Sequence, residues 1–125
     1  MTAAVGVILD HGSNTQKFFG GGEVANESKQ TASDFNGHTN DIMCIKLCNH
    51  RKNAATGQVG SKPVVFTWDA ATGEKKGRAK LDKGARGVNA IAWNHDASLV
   101  ACVDLHNDHN VYVFKSTGDM ALVGK

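Results

Sequence analysis

Apolar residues along this chain come in short strand-length runs separated by polar and glycine-rich turns. Two of those runs are written twice. Ile42-Met43-Cys44-Ile45-Lys46-Leu47 is matched 46 residues later by Val88-Asn89-Ala90-Ile91-Ala92-Trp93. Pro63-Val64-Val65-Phe66-Thr67-Trp68 is matched at the same offset of 46 by His109-Asn110-Val111-Tyr112-Val113-Phe114. A fixed offset shared by separate apolar runs marks a repeat architecture. The first unit predicts strands at Ile42–Cys48, Asn53–Gln58, Val64–Trp68 and about Lys76–Leu81. The second predicts them at Val88–Trp93, Leu99–Asp104, Asn110–Lys115 and Met120–Val123. Ahead of both, Ala3–Leu9 and Thr15–Phe19 read as two further strands around the turn cluster Asp10-His11-Gly12-Ser13-Asn14. The stretch Gly20–Asn36 is glycine-rich and polar without apolar periodicity, and reads as a flexible inserted loop. No segment sustains a helical period. The strands carry apolar residues on both faces, which predicts sheets buried on both sides.

The period sets the fold class. About 40–45 residues per unit is the spacing of a four-stranded propeller blade. Such blades close into rings of about four to eight. The expected class is therefore all-β, with about two and a half four-stranded antiparallel blades in an incomplete ring. The divisions expected are 1–19 as the last two strands of a preceding blade, 20–36 as the insertion, 37–82 as a complete blade and 83–125 as a second. A lone blade cannot bury both its faces, and stacked repeats need roughly three or more neighbours. The rest of the propeller, from the same or another chain, is thus an expected partner. The 125 residues alone are expected to fold poorly or aggregate.

Composition agrees. Glycine is 14 of 125, about 11% against a usual 7%, which suits many tight turns. The single proline leaves the strands uninterrupted. A net charge of +2 excludes a global polyelectrolyte role. Three cysteines, an odd count without paired spacing, argue against a disulfide framework and for a reducing compartment. Val5-Gly6-Val7-Ile8-Leu9 is too short for a signal peptide, and no apolar run reaches membrane-helix length. The expectation is a cytoplasmic protein with no membrane partner.

Gly37-His38 before the first unit and Trp68-Asp69 at the end of its third strand resemble the GH…WD signature of WD40 repeats. That family's buried hydrogen-bonded tetrad takes a loop His, a strand-b Ser or Thr, a strand-c Trp and a turn Asp. His38, Thr56 and Trp68 match the first three, while Lys62 stands near the place of the Asp. In the second unit only Asp108 fits. Gly84, Cys102 and Phe114 replace the other three members. A narrower resemblance rests on Gly37-His38-Thr39-Asn40-Asp41-Ile42-Met43-Cys44, Ala55-Thr56-Gly57-Gln58-Val59 and Val65-Phe66-Thr67-Trp68-Asp69. Arg86-Gly87-Val88-Asn89-Ala90-Ile91-Ala92 and Asp104…Asn107-Asp108-His109 add to it. These segments are similar to the echinoderm microtubule-associated protein-like (EMAP-like) family, with departures at 20–36 and in the short turn between Val59 and Pro63. The resemblance implies a non-enzymatic scaffold that docks on tubulin and the microtubule with other cytoskeletal or axonemal proteins, in the cytoskeleton and in cilia or flagella. The alternative is a general WD40 protein-interaction adaptor without tubulin contact.

The candidate partner-binding residues are Lys75, Lys76, Arg78, Lys80, Lys83 and Arg86, six of the fourteen Lys and Arg residues within twelve positions and opposed only by Asp82. On the outermost strand and the loop after it, they would attract an acidic partner through a salt-screened field. The alternative is that lysines here only keep an edge strand from pairing with other chains. Nucleic acid fits poorly, because the strip lacks interleaved aromatics. Asp104-Leu105-His106-Asn107-Asp108-His109, with His95, has metal-ligand residue types, but Asp and Asn at a turn also bond nearby backbone; no metal or cofactor is expected. Cys44 and Cys48 are spaced C-x3-C on one strand and, with Cys102, read as small core residues. No nucleophile, base and orienting group assemble into a catalytic set. Gly20-Gly21-Gly22 matches no phosphate-binding pattern. No enzymatic activity is expected.

Overall fold

A computed structural model describes residues 5–10, 12, 15–20, 41–60, 63–81, 85–107, 109–118 and 120–124. The insertion 20–36 beyond Gly20, and with it His38, Lys83 and Asp108, lies outside the described residues. Ten strands are present and no helix among the described residues: β1 (Val5–Asp10), β2 (Thr15–Gly20), β3 (Ile42–Leu47), β4 (Asn53–Gln58), β5 (Val64–Asp69), β6 (Lys75–Lys80), β7 (Val88–Trp93), β8 (Leu99–Asp104), β9 (Val111–Lys115) and β10 (Leu122–Gly124). They form a β1–β2 hairpin and two four-stranded sheets, ordered β3-β4-β5-β6 and β10-β9-β8-β7, with every neighbouring pair antiparallel. Sheets of this order are all-β propeller-type blades, and the ring is open among the described residues.

The repeat extends to backbone detail. Register shifts at Ile42/Cys44 in β3 and at Val88/Ala90 in β7, the same offset of 46. The turns after those strands hold Arg51 at φ 58° and Ala97 at φ 62°, again 46 apart. Such left-handed positions are uncommon for non-glycine residues, so their recurrence reflects one turn geometry used twice.

The two central strands explain why the sheets stack. Every residue of β5 up to Trp68 is buried, as is β4 from Ala54 onward. One face of this sheet puts Ala54, Val64, Phe66 and Trp68 against Ile8 of β1. The opposite face puts Ala55, Val65 and Ala79 against Val88, Val100, Cys102, Tyr112 and Phe114 of the second sheet. Small residues let the backbones approach. A Cβ on Gly6 would stand 2.7 Å from the Trp68 ring, and one on Gly57 would stand 2.5 Å from Cβ of Val88. Burying Val88 fully contributes about 1.5–3 kcal/mol.

Large apolar side chains are exposed at both ends of the stack. Met43, Ile45 and Leu47 on β3, with Val7 and Leu9 on β1, are exposed on one side. Val111, Leu122 and Val123 are exposed on the second sheet. Apolar faces of this kind mark contact surfaces.

Candidate partner-docking surface on the outer strand

Strand β6 pairs only with β5 within its sheet and carries most of the basic strip. Its register opposite β5 decides which side chains reach solvent. Gly77 lies across from Thr67 and Ala79 across from Val65, so both turn into the joint with the second sheet. Gly77 is held to hydrogen there: a Cβ would stand 2.7 Å from Cγ of Met120 and 2.8 Å from Oγ1 of Thr67. Lys76 and Lys80 are exposed, and Lys75 and Arg78 are half-buried. Between β6 and β10 runs a groove of about 420 Å³ lined by Lys75, Arg78 and Lys80 together with Phe114, Met120 and Leu122. Basic residues thus border an apolar lining.

The free edge of β6 is partly covered from the next sheet. Gly118 N donates to Lys76 O at 3.0 Å, and Arg78 N donates to Gly118 O at 3.3 Å, a parallel bridge between Gly77 and Gly118. Gly118 takes φ 66°, which favours glycine at this contact. Lys76 Nζ lies 3.8 Å from Asp69 Oδ2. Asp69 ends β5, and its Oδ1 accepts from Ala71 N at 2.7 Å and Thr72 N at 3.1 Å. Those backbone donors, aided by Lys76, hold its carboxyl below the usual carboxylate range. Arg86 stands apart from the strand: its Nη2 donates to Asn107 Oδ1 at 2.6 Å, and its carbonyl accepts from Gly60 N at 3.0 Å. The strip is therefore split in space, with four of its residues along β6 and Arg86 among the loops joining the two sheets.

Of the tetrad residues, Thr56 and Trp68 meet. Trp68 Nε1 donates to Thr56 Oγ1 at 3.3 Å, with both side chains fully buried. In the second sheet the equivalent positions hold Cys102 and Phe114. There Tyr112 stacks on Phe114 with ring centroids 5.9 Å apart. Its hydroxyl donates to Asp104 Oδ2 at 3.2 Å.

Asp104, read from the sequence as a turn residue bonding nearby backbone, is a buried polar centre, and that burial the sequence did not show. It is fully buried at the end of β8 and also accepts from His106 N at 3.1 Å, Asn110 N at 2.9 Å and Asn110 Nδ2 at 3.2 Å. Burial pushes its carboxyl up, but these donors outweigh it and hold the group below its ordinary value. The available signal was an Asp with a backbone donor two residues on and Asn110 and Tyr112 following, the pattern of a carboxylate that organises a turn. Cys48 begins the turn after β3 instead of lying in the strand, and its sulfur accepts from Asn53 N at 3.4 Å.

No family model matches the chain. In sequence it is similar to the ciliary WD repeat-containing protein ctxp80 of Euplotoides octocarinatus, 57% identical over 113 residues. That alignment takes in 90% of this chain and 16% of the relative, so the chain spans about a sixth of the protein it matches. In structure it is similar to Hsv2 of Kluyvelomyces marxianus, with a TM-score of 0.53 and 23% identity over 67% of this chain and 27% of that one. The second likeness shows fold alone. The chain is thus built of WD40-type propeller sheets and is similar in sequence to a ciliary WD repeat-containing protein.

Proposed function

We propose that these residues are part of a non-enzymatic WD40 scaffold of the EMAP-like kind, which docks on the microtubule in the cilium. The ciliary relative supports the setting. The carrying observation is the alignment of Lys75, Lys76, Arg78 and Lys80 along β6 beside the groove to β10. Gly118 already covers part of that edge, so edge protection alone accounts poorly for so much charge. A cationic outer strand draws an acidic surface such as that of tubulin, and the rigid sheets hold the charges in register for it. On this reading the β1–β2 hairpin is the outer half of a preceding blade, and the uncovered apolar faces are covered by the rest of the propeller.

The test is co-sedimentation of the full-length protein with microtubules at low and high salt. Pelleting that weakens with salt is the expected result. A protein that stays in the supernatant at low salt would leave the second reading, a WD40 adaptor for other proteins, which the similarity to a WD repeat protein supports equally.

A further inference from the structure

A second cationic site lies away from β6, at the ends of β3 and β7 where the two turns with left-handed residues sit side by side. A cleft of about 490 Å³ separates them, lined by Lys46, Leu47, Asn49, Arg51, Trp93 and His95 among others. Both walls come from described residues, so no missing blade is needed to complete it. The walls are tied together: Trp93 Nε1 donates to Lys46 O at 3.0 Å, fixing the indole across the joint. Asn49 Nδ2 and His95 Nδ1 lie 3.4 Å apart, and the His50 and His95 rings stand edge to face at 6.5 Å.

The two turns share a backbone but differ in charge. In the second, Asn94, Asp96 and Ser98 bond one another: Ser98 N and Ser98 Oγ donate to Asp96 Oδ1 at 3.0 and 2.6 Å, and Asn94 Nδ2 donates to Ser98 Oγ at 2.9 Å. In the first, Cys48, His50 and Lys52 stand at those places, with Arg51 at the left-handed position. Asp96, the carboxylate of the second turn, is engaged by donors of that turn. The cations Lys46 and Arg51 therefore line a cleft whose other wall carries the Trp93 indole.

We infer that this cleft binds an acidic peptide segment, with Lys46 and Arg51 holding its carboxylates and Trp93 receiving an apolar side chain. The charge complementarity selects an acidic partner, and the part-buried indole supplies the kind of anchor that dominates such contacts. The site shares no residue with β6 and does not depend on the microtubule reading.

The test uses the full-length protein and a fluorescein-labelled peptide of alternating Glu and Leu, read by anisotropy at low salt. Lys46→Gln with Arg51→Asn removes both cations, and Asn tolerates the left-handed backbone at position 51, so the turn is kept. Affinity is expected to fall about tenfold, while Lys115→Gln, at an exposed cation outside both the cleft and the β6 strip, leaves it unchanged. Absence of binding by the native protein would overturn the inference. So would equal binding by the Lys46/Arg51 variant, or a loss confined to Lys76→Gln with Lys80→Gln, which would move the peptide to β6. A single-stranded oligonucleotide bound as tightly as the peptide would replace the peptide with nucleic acid.

Discussion

Gly57 and Val88 meet back to back across the joint between the two sheets, closer than any side chain on residue 57 would allow. A Cβ there would stand 2.5 Å from Val88 Cβ and 2.6 Å from its Cγ1. Val88 is fully buried, so it has nowhere to retreat. Gly57→Ala is expected to destabilise the protein by about 1–3 kcal/mol, the range for overpacking a closed core. Calorimetry of the full-length protein would show a lowered midpoint for the transition that includes these blades. An unchanged midpoint would mean that the sheets can slide apart at low cost.

Tyr112 and Asp104 give a pH-dependent counterpart. Asp104 sits below its ordinary value in the folded protein, so its contribution is present above the unfolded carboxylate range and is lost as pH falls through the folded value. Tyr112→Phe removes one donor to the buried carboxylate and should cost about 1–3 kcal/mol at neutral pH. The deficit should shrink below about pH 4, where the carboxyl is protonated in the unfolded chain. Denaturant midpoints of both proteins from neutral to acidic pH would trace this, and a constant deficit would contradict it.

The thiols should react in a definite order. Burial pushes Cys44 up to about 11 and Cys102 up to about 12. Burial also opposes ionisation of Cys48, but the backbone amides of its turn outweigh burial and lower it. Because the accessible thiolate is the nucleophile, iodoacetamide at mildly alkaline pH should modify Cys102, buried and raised furthest, after Cys44 and Cys48. Peptide mass mapping of the native protein would read the order directly. Early modification of Cys102 would show that the joint between the sheets opens.

The docking role of β6 makes its own demand. Lys76 and Lys80 are the exposed members of the strip on β6, whereas Arg78 is half-buried at the groove. Lys76→Glu with Lys80→Glu should weaken microtubule pelleting about tenfold and flatten its salt dependence. Pelleting indistinguishable from the native protein would reduce the strip to a solvated edge.

The first and third strands of each unit were legible because their apolar runs repeat at 46 residues, and the second fell between them. Asn53–Gln58, Val88–Trp93 and Leu99–Asp104 fall where the pattern places them. The outer strands were less so. Basic residues dominate β6, and β10 is only Leu122–Gly124, starting two residues later than the apolar run at Met120 suggests. Met120 instead turns inward at φ 47° to pack beneath Gly77. The basic strip could be read as a run on the outer strand and the loop after it, but the tie of Arg86 to Asn107 and Gly60 could not, because those bonds form between residues far apart in sequence. Asp104 was hidden by its company: amid His106, Asn107 and His109 it read as one polar turn residue among several. Only burial separates it from them.

Gly118 fastens the turn of one sheet to the outer strand of its neighbour through two hydrogen bonds. Most of the joint is held by packing, which resists separation without fixing lateral position. These two bonds are directional and lie where that packing thins out. They make the stacked sheets a laminate pinned at its margin, able to carry shear from one layer to the next. A load applied at the rim would be shared between layers before it could peel the first one away.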